Sequence, residues 1–206
     1  MTMKTRSAAF WMLAGLLGFA GCSVVPEPQA DRTRYFVLSE PTAIPATPVA
    51  NPLVLGLKHV TLPAYLDKGS IVVRRRGNEI AYNDLARWAE PLGAGLERLV
   101  RNHLLASPKV GRVLAEGFPF DQKRDYDIAI TIGRCEGVRA GGNQTARFAA
   151  TVEITAPGDN GRVVARRSFG PVDTAWDGED YGAVVEALSA AVGALGDDIL
   201  AALPER

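Results

Sequence analysis

The sequence predicts an α+β domain: a largely antiparallel, mixed β-sheet with two long amphipathic helices packed on one face. Three observations support this fold class. Several runs alternate apolar and polar residues, two later segments place apolar residues three and four apart, and the order along the chain is strands, helix, strands, helix. The repeated order is compatible with an internal duplication, although no residue-level repeat supports one.

The first strands come from short β-favouring runs. Residues 35–38 read Tyr-Phe-Val-Leu, leucines alternate over residues 53–57, and residues 71–76 read Ile-Val-Val-Arg-Arg-Arg. The pair Gly77-Asn78 suits a tight hairpin between this run and the next one. Four prolines within residues 41–52 forbid a helix there, so an extended surface connection is expected.

The arginine triplet at 74–76 has a structural explanation. Strand alternation sends Arg74 and Arg76 to one face and Arg75 to the other, so a solvated or edge-protecting role is expected. Further along, Asn83 or Asp84 is the expected cap of a short turn that runs to residue 88.

A first helix is predicted from Leu92, with Pro91 at its first turn and Pro108 beyond its end. Its apolar stripe consists of Leu92, Leu96, Leu99, Val100, His103 and Leu104. His103 is therefore expected to be a half-buried, hydrogen-bonded histidine. His59 has no Ser, Cys or carboxylate constellation around it in the sequence. Residues 110–114 form a short strand.

The second half predicts a meander and a last helix. The runs 126–138, 147–155 and 163–169 alternate and are separated by Gly-rich turns, which indicates three antiparallel strands. Gly133 interrupts the first run, and a bulge there would shift its face. The last stripe, from Tyr181 to Ile199, predicts a helix that begins near Asp180 and ends before Pro204; it consists of Tyr181, Val184, Val185, Leu188, Ala191, Val192, Leu195 and Ile199.

The amino terminus has the features of an export signal. Lys4 and Arg6 precede an apolar run over residues 8–20, which is shorter than the roughly 20 residues of a transmembrane helix. Phe-Ala-Gly-Cys at residues 19–22 resembles the bacterial lipobox, with Phe19 where Leu is usual. The resemblance implies cleavage before Cys22, which carries a diacylglycerol and an acyl group. The alternative is an ordinary secretory signal with a chance cysteine.

Three regions follow from the signal. Residues 1–21 are the signal peptide, residues 22–34 a lipidated flexible tether and residues 35–206 a single domain. Several acyl chains hold a protein at a membrane more stably than one chain does. Ser23 follows the cysteine where, in the sorting rule that this resembles, Asp retains a protein at the inner membrane. Ser23 therefore implies the outer membrane.

The composition of the predicted mature chain excludes some classes. It has 185 residues, with 21 basic against 23 acidic side chains, and this balance gives no basic surplus for nucleic acid. Once Cys22 is lipidated, Cys135 has no intramolecular partner and is expected to be an inert, buried thiol. No cofactor or metal is expected beyond the lipid on Cys22.

Several motifs together resemble a known family. Residues 35–38, 62–67 (Leu-Pro-Ala-Tyr-Leu-Asp), 71–74 and above all 86–92 (Ala-Arg-Trp-Ala-Glu-Pro-Leu) are similar to those of the ABC-type transport auxiliary lipoproteins, also called the PqiC-like or DUF330 family. The resemblance covers nearly all of the mature chain. It implies a non-enzymatic outer-membrane lipoprotein at the periplasmic face, serving an MCE-type transport system that moves phospholipids or other hydrophobic molecules.

The implied partners are the MCE-domain protein of an ABC transporter and the outer membrane, and the sequence leaves open whether copies of the chain form a homo-oligomer. Consistent with a non-ATPase component, the sequence has no Gly-rich phosphate loop ending in Lys-Ser or Lys-Thr. Two alternatives stay open. One is a periplasmic scaffold that binds peptidoglycan or an outer-membrane assembly factor. The other is an anchored hydrolase, for which the sequence offers no catalytic constellation.

The candidate partner-binding residues come from the same motifs: Tyr65, Asp67, Arg87, Trp88 and Glu90. Trp and Arg are enriched at binding hot spots, which favours a contact surface. The competing interpretation is structural. In that case Trp88 fills the core, and Arg87 pairs with Glu90 or Asp67.

Overall fold

The structure is a computed structural model and describes residues 30–39, 47, 49–118 and 122–204. The chain divides after Arg32, and all the elements below lie in the unit Thr33–Arg206. The strands are β1 (Arg34–Phe36), β2 (Leu53–Leu57), β3 (Ser70–Arg74), β4 (Ile80–Trp88), β5 (Val110–Ala115), β6 (Tyr126–Ala140), β7 (Asn143–Ala156) and β8 (Arg162–Ala175). The helices are α1 (Leu92–Ala106) and α2 (Tyr181–Ala202).

The long strand β6 organises the sheet. One of its edges pairs antiparallel with β7, which pairs in turn with β8. Its other edge is shared, because β2 pairs with it near Tyr126 and β3 pairs with it near Gly137, both parallel. β5 continues the sheet beyond β2, and β4 and β1 continue it beyond β3.

The predicted α+β class is confirmed, with a mixed sheet. The predicted meander β6–β7–β8 and the hairpin β3–β4 are both present. Among the described strands, however, four of the seven pairings are parallel. A largely antiparallel sheet is therefore not confirmed, and neither is an internal duplication.

Gly133 carries the predicted bulge. The register between β6 and β7 shifts between Ile132 and Arg134, so Gly133 is left without a pairing partner. Because one residue is inserted, Ile132 and Cys135 both face the buried side, although they are three positions apart and regular alternation would put them on opposite faces. The next residue, Glu136, consequently points to the opposite face.

The turn predicted after Asn83 is wrong. Residues 80–88 form one strand, β4, because β1 pairs in parallel with its last three residues and occupies their backbone groups. The pairing of β4 with β3 is interrupted between Ser70 and Val72, and Asn83 Oδ1 accepts a bond from the amide of Leu85 at 2.9 Å in this irregular stretch.

Both predicted helices are confirmed and cover one face of the sheet. Pro91 precedes the first residue of α1, and the carboxylate of Asp180 caps α2 by accepting from the amide of Gly182 at 2.8 Å. The helices contact each other, with α2 against β6–β8 and α1 against β5. The core between the layers includes Leu96, Leu99, Leu104, Ile128, Ile130, Phe148, Val184, Leu188 and Ile199.

Candidate functional site

Two of the predicted site residues, Cys22 and Ser23, lie outside the described residues, so lipidation and sorting stay predictions. Most of the proline-rich connection lies outside them too. Within the described ranges, neither helix combines the length and apolarity needed to cross a bilayer.

Trp88 lies in the core. Its side chain is 7% exposed and belongs to the main hydrophobic cluster, while its backbone amide donates to the carbonyl of Gly69 at 2.9 Å. This placement agrees with the structural interpretation of the residue. An indirect role in partner binding, through the strand that Trp88 holds in place, stays a prediction.

The pairing proposed for Arg87 is wrong. Glu90 instead accepts from Nη2 of Arg98 at 2.5 Å, and the same nitrogen donates to the carbonyl of Leu38 at 2.8 Å. Arg98 therefore ties the start of α1 to the chain after β1. The guanidinium of Arg87 lies against Gly69, where an added Cβ would come within 3.1 Å of Nη2.

Tyr65 and Asp67 lie in the connection between β2 and β3 but meet different neighbours. The hydroxyl of Tyr65 accepts from Nη1 of Arg134 at 3.4 Å, and its ring stacks under the guanidinium of Arg74 at 5.7 Å. Asp67 is exposed and borders a cavity of about 480 Å³ that also touches His59. The five predicted partner-binding residues therefore do not form a single site.

The structure instead builds a charged cluster on the helix-free face of the sheet. Its members, which we call the Arg–Glu cluster, are Tyr65, Arg74, Arg134, Glu136, Arg147 and Asp173. Glu136 is 0% exposed and accepts from Nε and Nη2 of Arg74 at 2.6 and 3.3 Å. Arg147 stands opposite Glu136 in the register and donates to both carboxylate oxygens of Asp173 at 2.6 and 2.8 Å. Charges thus alternate across β3, β6, β7 and β8.

Burial and contacts within the Arg–Glu cluster shift the pKa values of several of its side chains. The hydrogen bond from Arg147 holds the pKa of Asp173 below its ordinary value, and the bond to Glu136 raises the pKa of Arg74. Burial is the main reason why the pKa of Tyr65 is raised, so its hydroxyl stays neutral at physiological pH. The cluster has three fixed positive charges against two carboxylates, and Arg134, 43% exposed, is the cation with the loosest contacts.

Sequence reasoning missed this cluster. Arg74 was expected to be solvated or to protect a sheet edge, but β3 lies between β4 and β6. Its side chain is 13% exposed and paired with Glu136, 62 residues away in the chain. One signal was available: Glu136 interrupts an apolar strand between Cys135 and Val138, and a buried carboxylate requires a partner.

A second concave region, which we call the helix groove, lies between α1 and α2. It encloses about 820 Å³, and its lining includes Ser39, His103, Glu186 and Asp197. His103 is half-buried, as predicted, and Nε2 contacts Oδ1 of Asp197 at 2.7 Å. The hydroxyl of Ser189 in the same groove donates to the carbonyl of Val185 in its own helix at 2.7 Å.

The chemistry open to Cys135, His59 and the acidic side chains depends on their burial and contacts in the described part of the chain. Cys135 is buried, and burial raises the pKa of its thiol to about 12, so the reactive thiolate is not formed. His59 contacts Glu97 at 3.1 Å on the surface. Among the described residues, no group of three His, Cys, Asp or Glu side chains is arranged to hold a metal ion.

Known proteins resemble this chain in sequence and in fold. The sequence profile of the family described as "ABC-type transport auxiliary lipoprotein component" matches residues 36–200. A crystal structure of a Xanthomonas campestris protein assigned to DUF330 is 25% identical, with a TM-score of 0.67, covering 81% of this chain and 92% of that one. No curated protein matches the chain.

Two further solved structures extend the comparison of folds. An uncharacterised protein is 15% identical with a TM-score of 0.62, covering 81% of this chain and 95% of that one. A PelC dodecamer from Paraburkholderia phytofirmans is 15% identical with a TM-score of 0.48, covering 77% and 93%.

Proposed function

The chain belongs to the ABC-type transport auxiliary lipoprotein family, and on that premise we propose that it is the non-enzymatic accessory component of an MCE-type ABC transport system. Lipid on Cys22 holds it at the periplasmic face of the outer membrane, where its domain meets the MCE-domain protein. The system moves phospholipids or other hydrophobic molecules and supports envelope integrity.

One observation carries the proposal: the family match begins 14 residues after the lipobox cysteine and extends almost to the carboxyl terminus. This spacing supports a lipid attachment point and a short tether in front of one family domain. The description of the family as an auxiliary transport component supports an accessory role over a catalytic one.

Affinity capture from detergent-solubilised envelopes tests the proposed partner. The tagged chain should recover an MCE-domain protein and its permease, identified by mass spectrometry together with the lipids that accompany them. Cys22→Ser is the matched control, because the unlipidated chain should recover less of both. Capture of peptidoglycan or an outer-membrane barrel protein without an MCE protein would favour the alternative scaffold.

Fractionation of the envelope tests the proposed location. The unaltered chain should sediment with the outer membrane, and Ser23→Asp should move most of it to the inner membrane. Intact-mass analysis of the same material should show the acylated amino terminus. A freely soluble chain with an unmodified terminus would overturn the proposal.

A further inference from the structure

Exposed apolar side chains are concentrated at one corner of the sheet. Six large hydrophobic residues are exposed within the described part of the chain, and four of them lie on β1, directly after β1, or on β4. Tyr35 is 61% exposed, Val37 40% and Leu85 52%. Scattered single residues of this kind need no explanation, but a cluster marks an interaction surface.

Strand alternation places these side chains on one face. Tyr35 and Val37 alternate with Phe36 and Leu38, and Leu38 is buried in the core. Because Tyr35 is the register partner of Arg87 in the parallel pair β1–β4, the two side chains are neighbours on the same face. Leu85 precedes Arg87 by two residues, which is the spacing of one face of a strand. We name Tyr35, Val37, Leu85 and Arg87 the β1–β4 patch.

The patch combines apolar and basic character. The side chain of Arg87 forms no hydrogen bond or ion pair with another residue in the described ranges, so its charge is available to a partner. By the same alternation, Arg34, which stacks over the ring of Phe36, and the exposed carboxylate Asp84 belong to the opposite face of β1 and β4. Within the patch itself, the charge of Arg87 therefore lies beside the exposed ring of Tyr35. Tyrosine and arginine are residue types that favour the boundary between hydrocarbon and headgroups.

We infer that the β1–β4 patch rests on the surface of a phospholipid bilayer, with Tyr35, Val37 and Leu85 in the interfacial layer and Arg87 at a lipid phosphate. Tyr35 follows Cys22 by 13 residues. Even a fully extended tether of that length reaches only about 45 Å. The anchor therefore keeps the patch close to the membrane at high effective concentration, so a weak contact suffices. This inference rests on the lipid anchor of the proposed function.

Fluorescence quenching by brominated lipid tests the contact. The lipidated mature chain is reconstituted in vesicles of phosphatidylethanolamine and phosphatidylglycerol with or without bromine-labelled phosphatidylcholine, and carries the reporter Tyr35→Trp. Trp88 and Trp176 are buried and provide a constant background. Val163→Trp is the matched control, since Val163 is 46% exposed but lies on β8, at the opposite edge of the sheet.

The reporter at Tyr35 should be quenched at least twofold more than the control, and Leu85→Trp should behave as Tyr35→Trp does. Adding Arg87→Gln should reduce the difference in vesicles that contain phosphatidylglycerol. Flotation with the vesicles but equal quenching at both edges would overturn the inference and leave the anchor intact. A lipidated chain that does not float with the vesicles would overturn both. If the reporter at Tyr35 is quenched no more than the control, and the patch becomes shielded from solvent only after an MCE protein is added, the patch binds a protein partner and not the bilayer.

Discussion

Replacing Glu136 by Gln tests whether the Arg–Glu cluster holds the sheet together. Glu136 is fully buried and bonded at 2.6 and 3.3 Å to Arg74, whose own side chain is 13% exposed. Glutamine has nearly the same shape and keeps one acceptor oxygen. The substitution therefore removes the negative charge while leaving the packing almost unchanged.

The expected loss of stability in Glu136→Gln follows from the burial of the Glu136 carboxylate. Removal of one member of a buried ion pair costs roughly 3–5 kcal/mol when the other charge is left without a partner. Here the remaining arginines lie closer to solvent, because Arg134 is 43% exposed, and the amide still accepts one hydrogen bond. We expect Glu136→Gln to lower the free energy of unfolding by about 2–4 kcal/mol. In the double variant with Arg74→Met, the loss should be smaller than the sum of the two single losses.

Urea unfolding, followed by the fluorescence of Trp88 and Trp176, measures this loss. The control is Glu153→Gln on the same face of the sheet, since Glu153 pairs with Arg166 at the surface. Its cost should stay under about 1 kcal/mol, as is usual for exposed pairs. If Glu136→Gln were no more costly than Glu153→Gln, the cluster would not be a structural element.

Three further predictions concern the helices, the free thiol and the edge of the charged ladder. Gly196→Ala should cost about 1–3 kcal/mol in urea unfolding, because its Cβ would lie 2.4 Å from Cδ2 of His103. In Gly193→Ala the nearest imidazole atom is 3.8 Å from the added Cβ, so this substitution should be neutral or stabilising. If the two substitutions changed the free energy of unfolding equally, the close contact between Gly196 and His103 would be contradicted. A thiol reagent at pH 8 should label Cys135 only in urea, since burial raises its pKa to about 12, and rapid labelling of the native protein would refute its burial. Asp173 has a lowered pKa, so its ion pair stabilises the fold above the ordinary carboxyl pKa of roughly 4 and ceases to do so as the pH falls through the lowered value. Asp173→Asn should therefore lower the free energy of unfolding by under about 1 kcal/mol at pH 7 and leave it unchanged in strong acid. If the loss of stability persisted in acid, it would not come from the ion pair between Asp173 and Arg147.

The elements with a local signal were predictable. The meander β6–β8 alternates along its length, and Gly133 marks its bulge. Both helices show apolar stripes with a start signal at Pro91 or Asp180. In each case neighbours in sequence are neighbours in the structure, so periodicity and turn residues contain the information.

The parallel pairings and the Arg–Glu cluster were not predictable in this way. Alternation shows which face of a strand is buried, but it does not show which strand lies beside it. Nothing local in residues 53–57 indicates that β2 pairs with β6 near Tyr126, and nothing near Trp88 indicates that β1 lies beside β4. Glu136 and Arg74 meet only because the edge of β6 is shared between two earlier strands.

This shared edge has a consequence for the order in which the chain becomes structured. A polypeptide that becomes available amino terminus first presents β2 and β3 before β6 is present, although Leu55 pairs with Tyr126 and Val73 pairs with Gly137. Hairpins such as β6–β7 close quickly, whereas parallel pairings over long separations are slow. The early strands β2 and β3 can therefore complete their pairing only once β6 is present. Until then their unpaired edges are exposed and can associate with other chains.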